Sequence, residues 1–166
     1  MEWLIIDTTI TRAHPCAGGA LKTSGGQASQ ALGRSRGGLS TKIHIAVDGL
    51  GNPLHFMLTA GQRHDITCAE ALIDGYNSEY VIADTSYDSM ALIESITQRG
   101  AVPVIPPRAT RRDSRTYDAH LYKERHLVEC FINKMKQYRR ISSRFDKLAI
   151  RYMGFLSFVA TIIWLR

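Results

Sequence analysis

An α/β fold built on a mixed β-sheet is the architecture this sequence predicts, and three features predict it. Short apolar runs that close on turn residues recur along the chain (LIID, YVIAD, VPVIPP). One segment, TKIHIAV, alternates as a strand, and the stretches between and after these runs carry helical periodicity. With 166 residues, 45% of them hydrophobic, the chain can bury one core, so a single domain over residues 1–166 is the default expectation.

Taken in order, Trp3 to Ile6 is a short buried strand ending at Asp7-Thr8-Thr9. Residues 15 to 40 are rich in Gly, Ser and Ala and read as a long loop. Thr41 to Val47 forms a strand, Asp48 to Asn52 supplies turn residues, and Pro53 to Thr59 returns as the second strand of a hairpin. Thr67 and Glu70 have capping-box spacing for a helix that reaches Gly75. Tyr80 to Ala83 is a strand ending in Asp84. Asp88 is placed as the N-cap of a helix through Arg99, stopped by Gly100. Val102 to Ile105 makes a last short strand, closed by Pro106-Pro107. After an arginine-studded loop, one amphipathic helix is expected across residues 122 to 140, then an apolar helix from about Phe145. The order β, hairpin, α, β, α, β, α, α matches a ribonuclease-H-like mixed sheet with helices packed on it, an order shared by other α/β folds.

The formal charge is +6 and the isoelectric point about 9.4, which favours a polyanionic partner over a pocket for acidic substrates. The excess is local: Arg108 to Arg144 holds 11 Lys/Arg against 4 Asp/Glu, a net of +7. Cys16, Cys68 and Cys130 have no paired spacing, so reduced thiols in a cytoplasmic protein are expected. His14 and Cys16 lie close together but are too few for a zinc site. No signal peptide opens the chain. The apolar tail YMGFLSFVATIIWL, flanked by Arg151 and Arg166, is too short to span a bilayer and reads as a buried core helix, so no membrane partner is expected.

Asp7 and Asp84 both follow apolar strands. A carboxylate there can face a cleft, because open α/β sheets place ligands at the carboxyl ends of their strands. Each also has a plain reading as a turn or cap residue. The neighbouring acids have structural readings: Asp48 in the hairpin turn, Glu70 in the capping box, Asp88 as an N-cap, Asp65 ordering a loop. Glu129 is different. Leu127, Val128, Phe131, Ile132 and Met135 form one apolar helix face, and Glu129 stands just beside it. Tyr122, Arg125, Glu129 and Lys136 would share a stripe about 60° wide on one helix. A solvated charge pair explains such a stripe weakly, at a few tenths of a kcal/mol. Three carboxylates could instead hold two Mg²⁺ ions about 4 Å apart at a phosphodiester. Arg125 and Lys136 would then grip phosphates, with Tyr122 on a sugar or base. Arg108, Arg111, Arg112, Arg115, Arg139 and Arg140 would extend the DNA-binding surface.

The spacing Y-x2-R-x3-E-x6-K is met at Tyr122, Arg125, Glu129 and Lys136. With RGGLSTKIH, GQRHD, PVIPPR and YKERHLVECFINKMKQYRRI, the chain resembles bacterial insertion-sequence transposases of the DDE class, particularly the insertion-sequence-five group, over about residues 4 to 165. The resemblance implies a ribonuclease-H-like catalytic domain with the triad Asp7, Asp84 and Glu129. Mg²⁺ would be the working metal and Mn²⁺ its substitute. The implied activity is cleavage of DNA at element ends and joining of the freed 3′-hydroxyl to a target. Implied partners are the terminal inverted repeats, target DNA, and a second copy or an upstream-frame product, in a cytoplasmic, nucleoid-associated protein. Two departures stand out. ADTSYDS replaces the usual ADKGYDS, so Thr85 stands where a basic residue is common. Only six residues precede Asp7, so the chain looks like a downstream half without an end-recognition region. An inert remnant, an inhibitory partner and a structure-directed nuclease are the alternative readings.

Overall fold

A computed structural model describes the fold at residues 1–21, 23, 25–35, 37–111 and 115–165. The strands are β1 (Trp3–Ala13), β2 (Gly33–Ser35), β3 (Gly38–Asp48), β4 (Pro53–Ala60), β5 (Tyr80–Ile82), β6 (Val102–Val104) and β7 (Ser143–Arg144). The helices are α1 (Gly26–Ser29), α2 (Ala69–Ile73), α3 (Met90–Gln98), α4 (His126–Lys136), α5 (Arg139–Ser142) and α6 (Ala149–Trp164). The sheet runs β2-β3-β1-β5-β6, with β4 paired to β3 and β7 to β1. It is mixed: β2 and β3 are antiparallel, whereas β1, β5 and β6 are parallel. The α/β, ribonuclease-H-like class expected from the element order is the one observed.

The chain divides into two compact units, of which the first comprises Met1–Asp7, Ile45–His55 and His64–Phe131. Its centre is a parallel ladder in which Trp3, Leu4 and Ile5 pair with Tyr80, Val81 and Ile82, and these in turn with Val102, Pro103 and Val104. Parallel neighbours need a crossover, and α2 and α3 precede β5 and β6 in that role. Leu4, Ile5, Ile6, Val81 and Ile82 are all buried, which explains why these strands read as unbroken apolar runs. The hairpin turn is built by Asp48, whose Oδ1 accepts from the backbone N–H groups of Leu50 and Asn52, both at 2.9 Å. Gly51 takes the left-handed conformation there, at φ +80°.

The second unit comprises Thr8–His44, Phe56–Arg63 and Ile132–Arg166. Its key polar feature is Arg144, fully buried. Its guanidinium donates to Thr41 Oγ1 at 2.7 Å, Asp146 O at 2.9 Å, Lys147 O at 3.2 Å and Ala31 O at 3.4 Å. A buried cation is tolerable only when its donors are met in this way, and burial holds its pKa below the ordinary arginine value. Helix α6 buries Tyr152, Leu156, Val159 and Ala160, a stripe at helical spacing.

Several boundaries differ from the sequence reading. Strand β1 runs on past Asp7 to Ala13, because the β-branched Thr8–Thr11 run stays extended and Arg12 and Ala13 pair with Ser143 and Arg144. The span read as a loop contains α1, β2 and the start of β3. Thr67 does not cap α2: its hydroxyl donates to His64 O, while Glu70 accepts from Ser95 Oγ. The helix expected from residue 122 to 140 is three pieces: a 3-10 segment Leu121–Arg125, then α4, then α5. The apolar tail is buried along one stripe only, and Phe158, Trp164 and Leu165 are exposed. Among the described residues no helix is long and apolar enough to cross a membrane.

Candidate active site

Two of the three acids are placed by strand register. The last residue pair between β1 and β5 is Ile5 with Ile82. Asp7 and Asp84 each lie two residues further along, so they continue the same side-chain parity past the carboxyl end of the ladder. Adjacent strands are about 5 Å apart, which makes neighbours of the two positions. Asp7 is thus inside β1 by extent but at the end of its pairing with β5. Asp84 keeps an extended backbone and opens the 3-10 turn Thr85–Tyr87. Its Oδ1 accepts from the Ser86 N–H at 2.8 Å and from the Ser86 hydroxyl.

Glu129 comes from α4, with Val128 and Phe131 buried beside it. What joins it to the strands is Arg125. The Arg125 Nη1 donates to Asp7 Oδ2 at 2.7 Å, and Nη2 donates to Glu129 Oε1 one helical turn away. The Asp7 side chain is 12% exposed, Arg125 22% and Glu129 49%, so the ion-pair cluster is covered at the strand and exposed at the helix. Burial pulls the Arg125 pKa down. The charges of Asp7 and Glu129, with Tyr122 and Asp84, outweigh that and hold it above the ordinary value. Asp84 also acts on Tyr122, whose phenol is pushed up first by burial. All three acids therefore bear on one guanidinium.

Tyr122 and Arg125 remain on one face, as the shared stripe implied, although they lie on a 3-10 turn. Residues three apart eclipse in that geometry, and the guanidinium carbon is 5.8 Å from the Tyr122 ring centroid. Lys136 ends α4 in the second unit, half-buried, with its pKa lowered by burial. Arg139 and Arg140 are exposed on α5: Arg139 lies 6.0 Å from the Phe145 ring, and Arg140 lies 4.3 Å from the Phe155 ring and 3.4 Å from Asp146. Arg112 lies outside the described residues, as does Arg166 at the chain end.

Asp88 corrects the sequence reading most. It is not the N-cap of α3, a place that Ser89 takes, and only its backbone N–H closes the preceding 3-10 turn, on Thr85 O. Its side chain is 1% exposed and accepts from Arg111 Nε at 2.9 Å, Arg115 Nη1 at 3.3 Å and the Arg108 backbone N–H at 2.9 Å. Burial alone would raise its pKa. The Arg108 N–H and the two guanidinium groups reverse that and hold it below the ordinary aspartate value. Arg111 and Arg115 are thereby committed to folding the loop, Arg115 also donating to Ile105 O at 2.6 Å. Arg108 is exposed, and its guanidinium stands over the Thr85 and Ser86 carbonyls at 3.2 and 3.0 Å, beside Asp84.

One further residue escaped the sequence reading. Tyr87 is fully buried, and its hydroxyl has no hydrogen-bond partner among the described residues. Burial, then the charges of Asp65, Asp7 and Asp84, push its pKa upward. Its only sequence signal was its position three residues after Asp84. Among the described residues, no group of three or more His, Cys, Asp and Glu side chains forms a ready metal cage. Arg125 spans Asp7 and Glu129, and Asp84 is turned to Ser86.

The profile of the family described as Transposase DDE domain matches residues 1–162. A Brucella ovis protein named as a transposase for insertion sequence element IS6501 is 41% identical over 130 residues, covering 77% of this chain and 100% of that protein. A Burkholderia cepacia protein named as a transposase for insertion sequence element IS402 is 31% identical over 135 residues, covering 74% of this chain and 62% of that protein. The chain thus spans less than two thirds of that second relative.

Proposed function

The chain belongs to the transposase DDE domain family of bacterial insertion sequences, and from that premise we propose that Asp7, Asp84 and Glu129 are its catalytic triad for metal-dependent DNA cleavage and strand transfer. The observation that carries this reading is the register of Asp7 and Asp84 at one end of the parallel ladder, with Glu129 tied to Asp7 through Arg125.

The donor set suits a hard divalent cation. All three groups are carboxylates, and a cationic group is already accepted between two of them. Mg²⁺, or Mn²⁺ in its place, would be held by Asp7, Asp84 and Glu129. Bound there it would supply Lewis acidity at the scissile phosphodiester, activating the attacking oxygen and offsetting charge on the leaving one.

The remaining work belongs to side chains. Arg108, Arg125, Lys136, Arg139 and Arg140 fix the DNA backbone by charge-assisted hydrogen bonds, and Tyr122 packs on a sugar or base. Arg108, beside Asp84, supplies a cation near the position where Thr85 is neutral. Both compact units form one catalytic domain in this reading, as the family match over residues 1–162 supports. Action together with a second copy or an upstream-frame product belongs to the same proposal.

The test is a strand-joining assay with precleaved element ends and Mg²⁺. Asp7→Asn, Asp84→Asn and Glu129→Gln should each abolish nicking and joining while DNA affinity persists, because shape is kept and the cation-holding charge is lost. Activity that survives all three substitutions, or survives EDTA, would overturn the triad. Nicking without joining would favour a plain nuclease.

A further inference from the structure

Arg125 sits where positive charge is wanted by the first and third acids at once. Its two terminal nitrogens are divided between them, Nη1 on Asp7 Oδ2 at 2.7 Å and Nη2 on Glu129 Oε1. A guanidinium and a divalent cation cannot use the same carboxylate lone pairs, and they repel each other. Arginine has no neutral escape, because a guanidinium stays protonated in proteins. Displaced from Asp7 and Glu129, it must find another anion or reach water. The open side of the clamp is the Glu129 side, where the carboxylate is 49% exposed. The Tyr122 ring, 5.8 Å away, offers an intermediate surface for the planar group. A DNA phosphate presents the fork-shaped acceptor that a guanidinium fits best.

Resting on the triad reading above, we propose that Arg125 has two alternative seats: across Asp7 and Glu129 when no divalent cation is bound, and on a substrate phosphate when one is. The side chain then does more than contact DNA. It keeps the two acids together and their charge covered before the cation arrives, and it links cation loading to DNA engagement. Linkage makes the effect reciprocal: DNA that captures Arg125 must tighten cation binding, and a bound cation must tighten DNA binding by the same factor. A fixed ion pair that merely braces α4 against β1 would produce neither effect.

Mn²⁺ binding to the full chain, followed by the electron paramagnetic resonance signal of the free ion, reads this directly. Titrations are run without DNA and with a short duplex, after subtracting Mn²⁺ held by the duplex alone. Arg125→Gln should bind Mn²⁺ about tenfold more tightly than wild type without DNA, because a competing unit charge has left a partly buried site. DNA should tighten Mn²⁺ binding in wild type and do so much less in Arg125→Gln. Arg125→Lys keeps the charge without the fork and should fall between the two. If folded Arg125→Gln binds Mn²⁺ no more tightly than wild type, or retains the full DNA effect, the two-seat proposal is wrong. If Arg125→Gln does not fold, the same comparison rests on Arg125→Lys, where affinity equal to wild type or weaker refutes it. Asp7→Asn and Glu129→Gln separate this from the triad reading. Should they lose Mn²⁺ while Arg125→Gln is unchanged, only the two-seat proposal fails; should they keep it, the triad itself fails.

Discussion

Asp88→Asn is the substitution where the structure changes an expectation most. As a helix cap, Asp88 would be replaced by Asn at little cost. As the acceptor for Arg108 N–H, Arg111 Nε and Arg115 Nη1 it cannot be. Asn presents one acceptor oxygen where the carboxylate presents two, and its amide NH₂ must face one of these donors. Hydrogen bonds to a charged group contribute about 1.5–3 kcal/mol each, and a stranded buried donor costs a comparable amount. Both arginine side chains are 22% exposed, so water recovers part of the loss. The net cost should be about 2–4 kcal/mol. For a chain of this size that corresponds to a fall in Tm of roughly 5–15 °C. Asp74→Asn is the control, since Asp74 pairs with Arg99 but is 74% exposed, and its loss should stay within about 0.5 kcal/mol. The pH dependence has a definite sign. The folded-state pKa of Asp88 is depressed, so its stabilisation is complete above the ordinary value of 3.8 and is lost as pH falls through the lower folded value. Urea denaturation across that acid range should show a steeper decline for wild type than for Asp88→Asn. A variant within 0.5 kcal/mol of wild type, with the same acid limb, would refute the hub assignment.

Four other perturbations have distinct readouts. Arg139→Ala with Arg140→Ala should lower the salt slope of DNA binding by about 2, whereas Arg111→Ala or Arg115→Ala should register mainly as lost stability. Arg144→Met should cost about 2–5 kcal/mol in denaturant titrations, because Thr41 Oγ1 and three carbonyls lose a buried donor. Tyr87→Phe should leave stability unchanged or raise it by about 1 kcal/mol, since it removes a buried hydroxyl with no partner among the described residues.

How far the sequence foretold this arrangement depended on the range of the interaction concerned. Alternation in TKIHIAV and the apolar runs around Leu4, Val81 and Val104 are local signals, and the strands they mark are present. The Tyr122, Arg125 and Glu129 ladder survives for the same reason: its members lie within two turns of one another. Where the deciding partner is distant, sequence reasoning failed. Asp88 looked like a cap because α3 follows it, but its partners are 20 to 27 residues away and no periodicity points to them. The arginine-rich loop looked like one phosphate-binding surface. Two of its members pair with Asp88 and so help to fold the loop, a division set by which guanidinium reaches Asp88. Likewise the sequence offered Arg125 only as a candidate phosphate contact, and its seat on Asp7, 118 positions earlier, was not legible. Arg144 gave no sign of being buried, since its acceptors are carbonyls and a threonine that any sequence could offer.

The claim that everything else rests on is that Asp7, Asp84 and Glu129 together hold the catalytic cation. Anomalous diffraction at the manganese edge, from crystals grown with Mn²⁺ and a short DNA duplex, tests it most directly. Density within coordination distance of carboxylate oxygens from all three residues, with Arg125 moved off Asp7 and Glu129, is the expected result. Manganese bound elsewhere on the chain, with those three carboxylates uncoordinated and Arg125 still across two of them, would contradict it.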